Sequence, residues 1–493
     1  MKYSHFALTG MLGFALAVFT NVNVAFATTP VVTVKSPTNG SQDGSPVNFT
    51  ASASSPDCSA GIAAMRIYTA PSVGAYTVDS SSLDVNLSLA PGTYNTVVQA
   101  WDNCGGVGKT PVDITVTGGT LPPPKFLYAS DYAGGRIEEY NVDPSTGVIT
   151  PTSQGSVTTG SKPEALASDH GGFRLYAISQ SPNQVTGFFI NREDGALQQV
   201  PGAPGAVTGY PTAIAVHPSG DYIYVPVEAK QNDNVIYAFA VQANGSLAPV
   251  PGSPFATNFP SPGINAASVS AAAIDPTGSF LYATAYGSSY VDAWSINKTN
   301  GSLTAVPGGP YSLVGDSAQG GANDLAFAQG GQHLVVPGWW DANITVFDVN
   351  TGTGALTNAP GSPIPIPSQQ AGNLISIAID PVDRWWYLYD LTFCDLCELP
   401  GGMQVFTLTP KDAAEVAVNG TQCGDIIFAD PSGKFVYAIG NTTSNPGCGV
   451  APGAILGFSV NQSNGTLTPL PGSPFPSPVL DTGISGDGLV VTQ

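Results

Sequence analysis

Apolar and aromatic residues along this chain fall in short runs set off by Gly, Pro, Asn and Asp, and almost none recurs at the 3.6-residue period of a helix. From residue 126 onward the runs repeat as one unit. A small-residue strand leads into a DPSG-like turn, then an aromatic strand core, then a further strand, then Gly-x-Leu and a proline loop. The cores are FLYAS around Tyr128, RLYAIS around Tyr176, YIYVPV around Tyr224, FLYATA around Tyr282, HLVVPG around Val335, WWYLYD around Tyr387 and FVYAIG around Tyr437. The closing motif is written as GSLAPVPGSPF from Gly245, with copies from Gly195, Gly301, Gly354 and Gly465 and a worn copy from Gly147. These glycines are 48, 50, 56 and 53 residues apart, and the last step, from Gly354 to Gly465, is 111, or two units. Four short strands in each unit of about fifty residues predict propeller blades.

Seven cores predict seven blades. The chain enters at a second strand, Phe126–Ser130, and an unpaired first strand around Val479–Ile484 is expected to complete that blade and close the ring, which removes exposed sheet edges. The tail GLVVTQ, Gly488–Gln493, reads as an eighth second strand with no assigned place, so an eight-bladed ring is the alternative.

Ahead of the repeats the pattern changes. Residues 28–118 alternate apolar and polar positions at turn-separated intervals (VVTVKSP, AMRIYTA, GTYNTVVQAWD, PVDITVT), which predicts a β-sandwich of about seven strands. This segment resembles the Ig-like modules of bacterial exported proteins, and either an adhesive or carbohydrate-binding module or a plain spacer fits it. Residues 119–125, rich in Gly and Pro, read as a short stiff linker to the propeller at 126–493. The expected fold is thus all-β, an N-terminal Ig-like β-sandwich followed by a seven-bladed β-propeller.

Residues 1–27 read as a cleaved signal peptide: Lys2 precedes a mostly apolar stretch from Phe6 to Phe19, and Ala25-Phe26-Ala27 forms an A-x-A cleavage site. No other window is long and apolar enough to span a membrane. The mature chain is therefore expected to be secreted or periplasmic, in a compartment that permits disulfides. A formal net charge of −20, with 14 Lys+Arg against 34 Asp+Glu, leaves no basic run for phosphates and argues against nucleic-acid binding. A monomer is expected.

The six cysteines follow from that compartment. Cys58 and Cys104 are placed to staple the sandwich. By register, Cys394, Cys397, Cys423 and Cys448 meet on the mouth face of the propeller. A thiolate zinc site is one reading of them, and oxidative pairing as Cys394–Cys397 and Cys423–Cys448 is the favoured one, with crossed pairing left open.

Over residues 125–493, about three quarters of the chain, the LYA and LYV cores, the DPSG or DHGG turns and the VFDVNTGTGAL cadence at Val346–Leu356 resemble the seven-bladed lactonase family, whose members include 6-phosphogluconolactonase-like proteins. The resemblance implies hydrolysis of a lactone or cyclic sugar-acid ester at the channel mouth. A non-catalytic protein holding glycans or surface partners is the competing reading.

Candidate chemistry follows from the same register. His170, His217 and His333 fall in or beside turns joining first and second strands, on the face opposite the mouth, where a structural role suffices. Twelve residues before each core tyrosine, or its equivalent, lie Glu164, Thr212, Ser270, Asn323, Ile375 and Asp425, and the next position adds Asp324 and Ser376. As the starts of innermost strands, these are expected to ring the channel mouth. Glu164, Asp324 and Asp425 are the candidate water-activating carboxylates, and Thr212, Ser270, Asn323 and Ser376 the candidate substrate contacts. Oxygen ligands of this kind also suit a divalent cation such as Ca²⁺ or Mg²⁺. Second-to-third-strand loops on the same face carry Tyr132, Tyr286, the pair Trp339-Trp340 and the insertion Thr392–Gly402, with aromatic rings that could stack on a sugar.

Overall fold

The computed structural model describes residues 29–43, 47–70, 76–78, 80–87, 92–116, 123–160, 162–169, 172–202, 204–230, 233–242, 244–259, 268–314, 321–338, 343–365, 373–381, 384–391, 402–408, 413–419, 426–439, 454–476 and 488–492. The leader, most of the linker, His170, Trp339, Trp340, Asp425, Cys394, Cys397, Cys423, Cys448 and Val479–Ile484 lie outside the described residues.

The described strands from Phe126 onward form seven antiparallel sheets, each ordered inner, second, third, outer. Blade 2 is representative: Lys162–Ser168, Arg174–Gln180, Gln184–Ile190 and Leu197–Gln199. Each blade is sandwiched between neighbours, so second strands are apolar on both sides; Phe126–Asp131 is buried at every residue. Tyr222, Tyr224 and Ala238 of one blade, for example, share a core with Leu281, Ala283 and Trp294 of the next.

Ring closure departs from the sequence expectation. Leu489–Thr492, and not Val479–Ile484, pairs with Phe126–Asp131, with Val490 opposite Tyr128. The tail is therefore the inner strand of blade 1. No eighth sheet exists among the described residues, and the eight-bladed alternative falls. The tail misled because LVV has no polar position to mark a face, so its run alone does not separate an inner from a second strand.

The repeated motifs are the interlocks. The hydroxyls of Tyr128, Tyr224 and Tyr282 donate to the carbonyls of Gly195, Gly301 and Gly354 in the following blade, at 2.8, 2.9 and 2.9 Å. Tyr437 of blade 7 donates to Gly147 of blade 1 at 2.7 Å, which ties the two ends of the ring. Glycine is required at these positions for two reasons. Gly354 has φ +76°, and a Cβ there would fall on the Phe280 ring. Gly354→Ala is expected to cost about 1–2 kcal/mol for the left-handed backbone and about 1–3 more for displacing the ring. A urea titration showing less than about 1 kcal/mol of loss would contradict the interlock.

The proline loop interrupts the outer strands of blades 2, 3, 4, 5 and 7, whereas those of blades 1 and 6, Ile149–Thr158 and Ala413–Asn419, are continuous. Its serine accepts a backbone N–H from the third strand, Ala238 to Ser253 at 2.8 Å, Val346 to Ser362 at 3.0 Å and Gly457 to Ser473 at 3.0 Å. After the loop the chain returns to the same third strand, as Phe255–Ala256 does to Val235 and Ile236.

The N-terminal residues form two sheets. One holds Val31–Ser36, Val47–Ser54 and Ser82–Leu87; the other holds Ser41–Asp43, Val107–Val116, Gly92–Asp102, Ile62–Ala70 and Tyr76–Val78. Phe49, Met65, Ile67, Val98 and Ile114 share the core between them, so eight described strands stand where about seven were expected. The Cys58–Cys104 disulfide is present, with Cα atoms 5.9 Å apart. Asp102 beside it accepts from Ser55 Oγ at 2.7 Å and from the Gly106 and Cys104 N–H groups, and the Ser55 hydroxyl leads in holding its carboxyl below the usual range.

Candidate site at the channel mouth

The position twelve residues before the core tyrosine has a structural cause. In blade 2 Pro163 opposes Ser179 and Ala165 opposes Ile178, so Glu164 is the extra residue of a β-bulge. Ser270 in blade 4 and Ile375 in blade 6 stand at the same bulge. In blade 3 the inner strand breaks there into Tyr210–Pro211 and Ala215–Val216, around Thr212. A bulge leaves its residue outside the ladder and re-aims the side chain, a device common beside functional sites.

Three of these side chains, Ser270, Asp324 and Ser376, make contacts across a blade junction. Ser270 Oγ donates to the Ala322 carbonyl of the next blade at 2.5 Å. Asp324 accepts the Leu325 N–H and, across the junction, the Ile377 N–H, both at 2.8 Å. Ser376, 4 % exposed, accepts the Ile427 N–H at 3.3 Å. Thr212 meets the Pro226 carbonyl within its own blade. Asn323 is half-buried at the start of blade 5. Much of the polar ring thus staples inner strands together.

Glu164 differs. Its carboxylate Oε2 accepts from the side-chain amide of Gln180, at the end of the second strand of the same blade. Tyr132 of blade 1 donates to Gln180 Oε1 at 3.2 Å, and Lys162 Nζ lies 5.1 Å from the Tyr132 ring centroid. The Glu164 backbone carbonyl lies 3.4 Å from Ser130 Oγ. Beside this group Arg136 pairs with Asp131 at 3.1 Å and Glu138 at 2.6 Å. Burial pushes the Glu138 carboxyl above its ordinary range, partly offset by Arg136. Farther round, Glu228 accepts from Ser268 Oγ at 3.0 Å. At these strand ends the described side chains include the carboxylates of Glu164, Asp324, Asp131, Glu138 and Glu228, with Arg136 in ion pairs and the Lys162 ammonium over the Tyr132 ring, while Lys230, opposite Asp233, ends the second strand of blade 3. Tyr210 and Tyr286 are exposed at the same ends of their strands, 59 % and 41 %.

The sequence reading missed Gln180, Asp131, Glu138 and Glu228, which end second strands or begin third strands, because it took carboxylates and amides from inner-strand starts and aromatic residues from the loops between second and third strands. It missed a further position because the tail was unplaced. Val490 opposes Tyr128 as Ala167 opposes Tyr176, and three residues back from Val490 is Asp487, which lies outside the described residues.

Among the described residues, the one group of His, Cys, Asp or Glu with three ligand atoms within 4.8 Å of one another is Cys58, Asp102 and Cys104, whose sulfurs are joined to each other. The described mouth carboxylates do not by themselves gather a cation.

The described histidines sit in or next to the turns. His217 takes the place that aspartates fill elsewhere: Asp275 accepts the Ser279 and Phe280 N–H groups at 2.7 and 2.6 Å. His217 Nε2 lies 2.9 Å from the Gly278 carbonyl of the next blade, while Nδ1 faces Ser219. The carbonyl requires Nε2–H, and the Ser219 N–H 3.1 Å from Nδ1 requires that nitrogen to accept, so the ring is neutral. Burial holds its pKa below the ordinary value of 6.5. A base depressed in the fold stabilises fully above its unfolded pKa, and that contribution is lost as pH falls below about 6.5. Thermal melts should show this loss, and it should vanish in His217→Asp. His333 Nδ1 lies 3.0 Å from Asp348 Oδ1.

Residues 121–208 and 214–370 match the model of the lactonase family, seven-bladed β-propellers. No curated protein matches the sequence. Among solved structures, a protein of Bacteroides uniformis provisionally named a 6-phosphogluconolactonase is 18 % identical with a TM-score of 0.60, covering 75 % of this chain and 100 % of that one. The periplasmic gluconolactonase of Pseudomonas aeruginosa is 17 % identical with a TM-score of 0.57, covering 75 % and 99 %. At this identity the likeness speaks for the fold.

Proposed function

We infer that this chain is an exported member of the lactonase family of seven-bladed β-propellers, preceded by an Ig-like module, and that it hydrolyses an uncharged sugar lactone at the channel mouth. The observation that carries this is Glu164, a carboxylate set on a bulge at the mouth of a propeller that matches the lactonase model. In the proposed step Glu164 takes a proton from water as the hydroxide oxygen bonds to the lactone carbonyl carbon. The ring C–O bond then breaks as Glu164 returns that proton to the leaving ring oxygen, and a hydroxy acid results. Asp324 and Asp425 are the further carboxylates proposed on the ring, and Thr212, Ser270, Asn323 and Ser376, with Trp339 and Trp340, the proposed sugar contacts. Export is in keeping with the A-x-A segment and with the periplasmic gluconolactonase among the structural relatives.

Charge selects the substrate. A phosphorylated lactone would bring about two further negative charges up to the carboxylates Glu164, Asp131, Glu138 and Glu228. A lactone panel read by acid release, with and without chelator, tests this. An uncharged aldonolactone is expected to show at least about tenfold higher kcat/KM than its phosphorylated counterpart, a gap that narrows as salt rises. Preference for the phosphorylated compound would overturn the selection. The exposed rings of Tyr210 and Tyr286 favour a second reading, a glycan-holding mouth without chemistry. Glycan retention with no turnover of any lactone would establish that reading instead.

A further inference from the structure

We propose that Gln180 is the positioning residue for Glu164, held in its working orientation by Tyr132 and Lys162 across the junction of blades 1 and 2. The inference rests on the reading of Glu164 as the base. A carboxylate on a bulge has no ladder partner to fix it, and a long side chain at a channel mouth samples several rotamers. Gln180 supplies what the ladder does not. It stands opposite Lys162, two residues before Glu164, and its amide reaches the Glu164 Oε2.

The direction of the amide is set from outside the blade. Tyr132 O–H donates to Gln180 Oε1, so the Nε2 end must face Glu164. The Lys162 ammonium over the Tyr132 ring in turn favours one ring position. Oε2 of the carboxylate is thereby engaged by a neutral donor, which fixes the group while leaving its negative charge to take the proton of water. Because Tyr132 belongs to blade 1 and Gln180 to blade 2, the alignment exists only when the ring is closed at that junction.

The test uses the full chain and the lactone that the panel identifies. Gln180→Ala is expected to lower kcat about 10- to 100-fold with KM changed less than about threefold, since orientation is lost and binding is kept. Tyr132→Phe removes one hydroxyl, leaves no cavity, and should lower kcat about three- to tenfold. Gln180→Glu sets a second carboxylate against Glu164 and should move the acid limb of the pH–rate profile up by about one unit, a readout that a purely structural role would not change. Should Gln180→Ala fail to fold, the other two variants decide the matter. Unchanged kcat and pH profile in them, with Glu164→Gln inactive, would overturn the positioning role and leave the proposed function standing. Full turnover by Glu164→Gln, or no turnover of any lactone by the natural chain, would instead overturn the reading beneath it.

Discussion

Glu164→Gln is expected to lower lactone turnover about 10²- to 10⁴-fold, the range contributed by a positioned general base. The substitution keeps the shape of the side chain and can still accept from Gln180 through its amide oxygen, so the neighbouring contacts survive. Inner-strand packing is set by Ala165 and Leu166, both buried, and is not touched. Melting should therefore stay within about 0.5 kcal/mol of the natural chain. Asp324→Asn should behave in the opposite way. Asp324 takes two backbone N–H groups, one from the next blade, and an amide can replace only part of that acceptance. Stability falls there by about 1–3 kcal/mol, the cost of leaving a donor poorly met. Comparing the two variants by single-turnover kinetics and by melting separates chemistry from stapling. Equal losses of activity with equal losses of stability would mean that the mouth carboxylates are all structural.

Removal of residues 488–493 is expected to abolish folding of the propeller. Leu489, Val490 and Val491 are each at most 3 % exposed, and Leu489 and Val491 share a core with Tyr437 of blade 7 and Tyr140 of blade 1. Burial of three such side chains is worth about 1.5–3 kcal/mol each. The sum is comparable with the whole stability of an ordinary domain, about 5–15 kcal/mol. Their loss also strips a partner from Phe126–Asp131 and removes from blade 7 the inner strand its core packs against. Purified truncated chain should be aggregated or protease-sensitive throughout residues 126–476. A sharp melt close to that of the natural chain would refute the closure.

The architecture was legible because each blade carries the same few irreplaceable parts. The glycine that accepts from the previous blade's tyrosine, the turn aspartate and the PGSP serine all make hydrogen bonds that few other residues make at those places, so they recur in print. The tail was not legible, since three apolar residues fit any strand of a blade buried on both faces. The site was half legible. Counting twelve back from the tyrosine found Glu164 because the bulge recurs at one distance from the core. What each side chain touches was not, because a bulge breaks the two-residue alternation from which facing is read. Glu164 and Asp324 look alike in sequence, yet one meets a side-chain amide and the other backbone of the next blade.

The interrupted outer strands bear on how this protein stays apart from its own copies at high concentration. A wheel of sheets presents its rim to solvent, and seven straight rim strands would invite other molecules to add on, strand by strand, into fibres. Here each printed copy of the proline loop withdraws the chain after about three residues and gives the third strand's N–H to a serine of the same molecule, as at Ser253, Ser362 and Ser473. The outer strands Ile149–Thr158 of blade 1 and Ala413–Asn419 of blade 6 run on without that break, so the sequence that announces the repeat also shortens the edge open to a neighbour in the blades that carry it.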